Sequence, residues 1–309
     1  MSAESFKNHI SPEFIVNSDT SSFSTKFFPV KDYSLDLTFD SGQTFRWEKI
    51  DGGWEGVIYN RWTRLDQRKN GVLATVFGEV KEWGWLEDYL QVKVNIGAIT
   101  RTFPDDPYLK AAVKECRGLR IVRQEPWECL ASFLMSSSKQ IVQIKQIIAN
   151  LCRRFGEPIL MPPGRAQLFS FPAVEAIARA DEAALRECKM GFRAAYLKNT
   201  AQLILKKKIN LYELSNLPLH QARAALLEFP GVGVKIANCV LLFSLGFYNA
   251  FPVDVWVRKA LQTFYFNNTP IKKSQMEKFT CDYFGEYGGY AQQYLFHYIR
   301  VKLSNKESL

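Results

Sequence analysis

One lysine stands in the most apolar stretch of the chain, LEFPGVGVKIANCV, from Leu227 to Val240. Pro230, Gly231 and Gly233 form a turn, and helical spacing resumes at Val234. Lys235 therefore falls in the first turn of a new helix. The helix dipole places partial positive charge there, so a cation is disfavoured and the neutral amine favoured. A neutral amine is a competent nucleophile toward an electrophilic carbon. Nineteen residues on, FPVDVWV (Phe251 to Val257) sets Asp254 among apolar neighbours; it is the only acid between Glu228 and Glu277. A carboxylate in such surroundings needs a partner. Aspartate also suits the N-cap of the helix expected over VWVRKALQTF, and the two roles are compatible. Beside a reacting sugar, a carboxylate stabilises positive character at C1′ or moves protons.

The elements that must hold these groups read as a helix-hairpin-helix. PLHQARAALLEF (Pro218 to Phe229) is a helix, PGVG a tight turn, and Val234 to about Leu245 a second helix. Gly231 and Gly233 allow positive φ and a close backbone approach. Free N–H groups at the start of the second helix suit a phosphate, and such a hairpin holds DNA backbone without reading bases. PGVG alone fits an ordinary αα-turn equally well. Lys235 and Asp254 shift the balance toward chemistry.

Upstream, Pro126 to Gly156 carries apolar residues every three or four positions, which predicts two helices broken near Ser136–Ser138. Phe171 to Lys207 holds further short helices, with Asp181 as an N-cap and Gly191 as a stop. The first third reads as β-rich. Asp32 to Asp40 alternates apolar and polar residues and is expected to be a strand. Ser41 to Ile50 follows, Gly52-Gly53 turns a hairpin, and Trp54 to Gln67 alternates as one more strand. Val72 to Gly78 closes the sheet, and EVKEWGWLEDYL turns helical. The expected plan is α+β: an antiparallel sheet domain over residues 1–115, then an all-helical domain over 116–309.

Composition narrows the partners. The 309 residues carry a formal charge of +9 and a pI of about 9.2. Such an excess points to a polyanion, either nucleic acid or an anionic membrane surface, with plain solubility as the bland alternative. The longest apolar run, Cys239 to Val253, is interrupted by Gly246 and Asn249 and is too short to span a bilayer. The N-terminus shows no signal-peptide pattern, so an intracellular protein is expected. Six scattered cysteines without a C-x-x-C pair, and three dispersed histidines, give no disulfide framework, zinc or iron–sulfur spacing.

LEFPGVGVKIANCV followed by AFPVDVWV resembles the helix-hairpin-helix/Gly-Pro-Asp superfamily of DNA glycosylases. The absence of a C-terminal four-cysteine run speaks against the iron–sulfur branches, and the lysine against the monofunctional alkyl-base branch. SGQTFRW (Ser41 to Trp47), GFRAAYL (Gly191 to Leu197) and GYAQQYLF (Gly289 to Phe296) resemble segments of the 8-oxoguanine DNA glycosylases. The resemblance implies a TBP-like N-terminal sheet and a helical glycosylase domain. It implies that Lys235 attacks C1′ and forms a Schiff base that permits β-elimination, with Asp254 supporting base departure. It implies base binding by Gly42, whose carbonyl would accept from the N7–H of 8-oxoguanine, and by Gln292 at the Watson–Crick edge. Cys239 and Phe296 would sandwich the base. It further implies DNA binding by Phe192 as a wedge, Arg193 on the orphaned cytosine, Gly231, Gly233 and Val234 in the hairpin, and Trp256. Read without the family, Cys239 and Phe296 are core residues and Gln292 a surface amide.

Three positions depart from the eukaryotic pattern. SSSKQ (Ser136 to Gln140) stands where those members carry an asparagine run, Gln143 where they carry a second cytosine-reading arginine, and Trp256 where they carry histidine. A bacterial or archaeal type with relaxed opposite-base preference is therefore expected. The competing expectation is a non-catalytic helix-hairpin-helix DNA-binding protein, in which Lys235 only contacts phosphate. Asp254 discriminates, since a phosphate binder gains nothing from an acid beside its cation. The expected partner is double-stranded DNA containing 8-oxoguanine. A monomer is expected, cytoplasmic and nucleoid-associated, with no membrane partner, metal or organic cofactor.

Overall fold

The computed structural model describes residues 22–136 and 139–306, with side chains through residue 301. Ser137 and Ser138 of the SSSKQ stretch lie outside the described residues, as do residues 1–21. Among the described residues, five antiparallel strands form one sheet: β1 (Phe23–Pro29), β2 (Trp47–Ile50), β3 (Gly53–Ile58), β4 (Arg61–Arg68) and β5 (Gly71–Phe77). Their order is β1-β5-β4-β3-β2. The β2–β3 hairpin turns at Asp51-Gly52, with Ile50 paired to Gly53. The β3–β4 hairpin turns at Tyr59-Asn60, where φ is +45° and +65°. Positive φ at both central residues matches the turn to the strand twist. That second turn corrects the single strand expected from Trp54 to Gln67. It lacks glycine, so the sequence shows alternation straight through it.

Asp32 to Asp40 is also corrected. It forms a short helix, α1 (Leu35–Phe39), in place of a strand. The Ser34 side chain accepts from the Leu37 N–H and caps it. Leu35, Leu37 and Phe39 alternate, but Leu35 and Phe39 are also one helical turn apart and both are buried. A short apolar run satisfies both periods, and the cap settles the conformation. One sheet face, with Phe28, Trp54, Ile58, Leu65 and Val72, packs on α1 and on α2 (Gly84–Leu90). The other face buries Val57, Trp62 and Phe77 against Ile159.

The principal helices that follow are α3 (Pro107–Glu115), α4 (Pro126–Ser136), α5 (Ile141–Phe155), α6 (Arg193–Lys207), α7 (Leu219–Leu227), α8 (Val234–Phe243), α9 (Val255–Tyr265), α10 (Lys273–Phe284) and α11 (Gly288–Lys306). α5 buries Ile144, Ile147, Ile148, Leu151 and Cys152, the stripe its spacing predicts. Asp181 caps a short helix by accepting from the Ala183 N–H, and Gly191, at φ +61°, ends the helical segment before α6. α8, which packs on the still more buried α4, is buried at every residue from Ile236 to Phe243 and lies within the helical core. Helix α11 closes over it: Gly289 donates to the Tyr248 carbonyl at 2.7 Å. A Cβ at Gly289 would stand 2.3 Å from Leu242 and 2.6 Å from the Ala250 oxygen, so only glycine permits that approach. Five of the six cysteines are buried, and Cys281 is exposed.

Candidate active site and nucleic-acid interface

The hairpin between α7 and α8 uses its two glycines differently. Gly231 has φ +78°, and a Cβ there would lie 2.6 Å from Cδ2 of Tyr196. Gly233 is extended, at φ −94° and ψ 176°, and does not use the positive φ that glycine allows. Nothing lies within 4 Å of its missing Cβ. Its value is a bare surface at the mouth of α8. No side chain caps that helix, and its first intrahelical bond runs from Ala237 N–H to the Gly233 carbonyl. The N–H groups of Val234, Lys235 and Ile236 are thus the unsatisfied first-turn donors, an arrangement suited to an anion.

Lys235 is half-buried, with Nζ 5.0 Å from the centre of the Phe133 ring. The Cys239 thiol lies one turn later on the same helix, within reach of the Lys235 charge. Burial pushes that thiol up to about 11, with Lys235 opposing the rise and Asp254 adding to it. Asp254 is the N-cap of α9, its Oδ1 accepting from the Val257 N–H at 2.8 Å. Burial raises its carboxyl above the usual range, while the Val257 N–H and the Lys235 charge pull it back. The structure therefore brings Lys235, Cys239 and Asp254 into one group.

Asn238, not singled out in the sequence, holds that group together. It is buried; its Nδ2 donates to the Phe251 carbonyl and its Oδ1 accepts from Arg223 Nε, both at 2.9 Å. These bonds tie α7, α8 and the segment leading into Asp254. A lone amide within an apolar run was the available signal.

The second group lies where α11 meets the turn before β2. Gly42 has φ +72°, and its missing Cβ would sit 3.4 Å from Ile141, 3.6 Å from Phe296 and 3.6 Å from Arg300. Gln292 is only 4% exposed, and its Oε1 has no hydrogen-bond partner among the described residues. A surface amide is thus excluded. Phe296 is half-buried beneath the Arg300 guanidinium, 5.6 Å away. Arg300 also interacts with the charge of Asp254, which links the two groups electrostatically. His297, the next residue on α11, is 5% exposed, and burial pushes it down to about 4.

The remaining positions form a rim. Phe192 is 58% exposed, edge-on to Tyr196 at 5.9 Å, and Tyr196 in turn contacts Gly231. Arg193 is buried, with its guanidinium 4.5 Å from the Phe192 ring centre. Val255 is 80% exposed, and Trp256 beside it is partly exposed. Exposed Gln143 spends its Oε1 on the Gln140 N–H at 3.1 Å, closing the start of α5. Among the described residues, no His, Cys, Asp or Glu group could hold a metal ion, and no helix is long and apolar enough to cross a membrane. A surface hollow of about 500 Å³ between Trp62, Arg64 and Pro162 on the sheet is lined by none of these residues.

The chain matches the family model for the 8-oxoguanine DNA glycosylase N-terminal domain over residues 27–130. Residues 131–284 match that for the HhH-GPD superfamily of base excision DNA repair proteins. It is 30% identical to the N-glycosylase/DNA lyase OGG1 of Arabidopsis thaliana, over 88% of this chain and 80% of that protein. It is 28% identical to the probable N-glycosylase/DNA lyase of Methanothermobacter thermautotrophicus, over 88% and 95% respectively. The 8-oxoguanine glycosylase/lyase of Clostridium acetobutylicum, solved with duplex DNA carrying cytosine opposite 8-oxoG, superposes with a TM-score of 0.82. That match has 30% identity over 93% of this chain and 100% of the other. This chain therefore belongs to the 8-oxoguanine DNA glycosylase family of the helix-hairpin-helix superfamily, and is a bifunctional DNA glycosylase and lyase.

Proposed function

We propose that the enzyme takes 8-oxoguanine out of duplex DNA, cleaves its glycosidic bond and nicks the strand through a Schiff base on Lys235. The observation that carries this reading is the Lys235 amine itself, half-buried at the mouth of α8 beside Phe133, Cys239 and the Asp254 charge. A flipped nucleotide places C1′ within reach of such an amine. Asp254, held by its own helix cap, supports the positive charge that develops on the sugar as the base departs. The base enters between Cys239 and Phe296, with the Gln292 amide at its Watson–Crick edge. Gln292 Oε1 lacks a partner and gains one from the base. The Gly42 carbonyl accepts from N7–H, which guanine lacks, so guanine would leave that acceptor unpaired. Phe192 fills the vacated space, and the α8 amides with Gly231, Gly233 and Val234 hold the backbone. Trp256 lies near a phosphate.

Borohydride reduction on an 8-oxoguanine duplex tests the assignment. The wild type should give a covalent adduct. Lys235→Gln should give none and lose roughly 10⁴-fold in strand cleavage while still binding DNA. An adduct formed by Lys235→Gln would move the nucleophile elsewhere.

A further inference from the structure

The turn that carries Gly42 is fastened on both sides of that residue and left open at it. The Asp40 carbonyl accepts from Arg300 Nη2. The Ser41 carbonyl accepts from Gln293 Nε2 at 3.0 Å. The Gln43 carbonyl accepts from Gln124 Nε2 at 2.8 Å. The Gln43 side chain adds bonds to the Thr38 and Arg120 carbonyls and accepts from the Val122 N–H. Among the described residues, no hydrogen bond reaches the Gly42 carbonyl between them. A left-handed glycine is free to rotate its peptide, so an acceptor there points reliably only if its flanks are pinned.

Two of the pins come from α11, the helix that also carries Gln292 and Phe296. Arg300 is the outermost. It bonds Asp40, lies over the Phe296 ring, and comes within 3.6 Å of the Gly42 Cβ position. It thus touches both the turn and the ring between which the base would lie. We infer that Arg300 is a positioning residue for lesion discrimination, locking the Gly42 carbonyl in register with Phe296. This rests on the 8-oxoguanine reading above.

The test measures equilibrium binding in the Lys235→Gln background, which removes turnover. Arg300→Ala should weaken binding to an 8-oxoguanine duplex roughly tenfold while leaving affinity for the matching guanine duplex within about twofold. Arg300→Lys retains a donor and a cation over the ring, and should recover most of the selectivity. Equal weakening on both duplexes would make Arg300 a general phosphate contact and overturn the inference. So would unchanged selectivity in Arg300→Ala. If Lys235→Gln itself shows no preference for the lesion, the substrate reading fails instead, and the two failures are distinguishable.

Discussion

The inner face of α11 and the rim around the hairpin break folding rules in opposite ways. On α11, Gln292 and His297 are polar and buried, and Gln292 Oε1 and His297 Nδ1 have no hydrogen-bond partner among the described residues. Each such group costs about 1–3 kcal/mol of stability. On the rim, Phe192 and Val255 are apolar and exposed at 58% and 80%. Neither arrangement helps the chain fold. Both make sense if a ligand completes them, a polar edge inside and stacked or apolar surface outside. The interior therefore trades stability for recognition, whereas the rim is nearly neutral until DNA arrives. Substitutions should separate the two along that line.

Asp254 stands between these regions and carries the largest effect among them. Asparagine caps a helix as well as aspartate does, so Asp254→Asn should keep the melting temperature while slowing base excision by roughly 10²–10³-fold. Burial raises the Asp254 carboxyl, so its reactive charge is lost as pH falls, starting above the usual carboxylate range. The single-turnover rate should drop on the acid side in the wild type and lose that limb in Asp254→Asn. An unchanged excision rate in the variant would reduce Asp254 to a cap.

His297 tests the interior directly. Its folded value of about 4 lies below the unfolded value of 6.5. The neutral form is therefore favoured in the fold, and its contribution is present above pH 6.5 and lost as pH falls toward 4. Over that window the wild type should lose up to about 3 kcal/mol through this group. Urea unfolding of His297→Leu should show a flatter dependence across the same range. Parallel curves for the two proteins would place the acid sensitivity elsewhere.

The rim should behave otherwise. Phe192→Ala should leave stability within about 0.5 kcal/mol, because the ring is mostly in water. Affinity for lesion duplex should fall roughly tenfold, the value of one stacked aromatic. A loss of stability without a loss of affinity would make Phe192 a packing partner of Tyr196 and Arg193.

This division also explains what was legible in the sequence. The hairpin, the break between α4 and α5, and the caps at Asp181 and Asp254 were readable because glycine, proline and capping side chains act on their own backbone. The α1 helix was misread because Leu35, Leu37 and Phe39 satisfy two periods at once. Strand β1 was missed, since its order comes from pairing along β5, far off in the chain. Gly42, Gln292 and Phe296 were reached only through resemblance. Nothing local shows that a residue near the C-terminus lies against the turn before β2. Arg300 and Gln293 were not singled out for the same reason.

A further expected effect concerns the base left opposite the lesion. The reader that the resemblance implies for it is Arg193, buried with its guanidinium 4.5 Å from the Phe192 ring centre. Gln143, at the position where the resemblance implies a second arginine, instead closes the start of α5 through its Oε1. One bidentate arginine contact discriminates by about 1–3 kcal/mol, so a single remaining reader leaves a preference for cytosine of roughly 5- to 150-fold. Excision rates against all four opposite bases measure this. Gln143→Arg should sharpen the preference, since it restores the second arginine that the resemblance implies at that position. It should also lower stability by about 0.5–1 kcal/mol, because arginine has no acceptor for the Gln140 N–H. A wild-type preference above about a thousandfold, more than one such contact supplies, would show that Arg193 needs no second arginine. In that case, the rim would be as finely specified as the pocket.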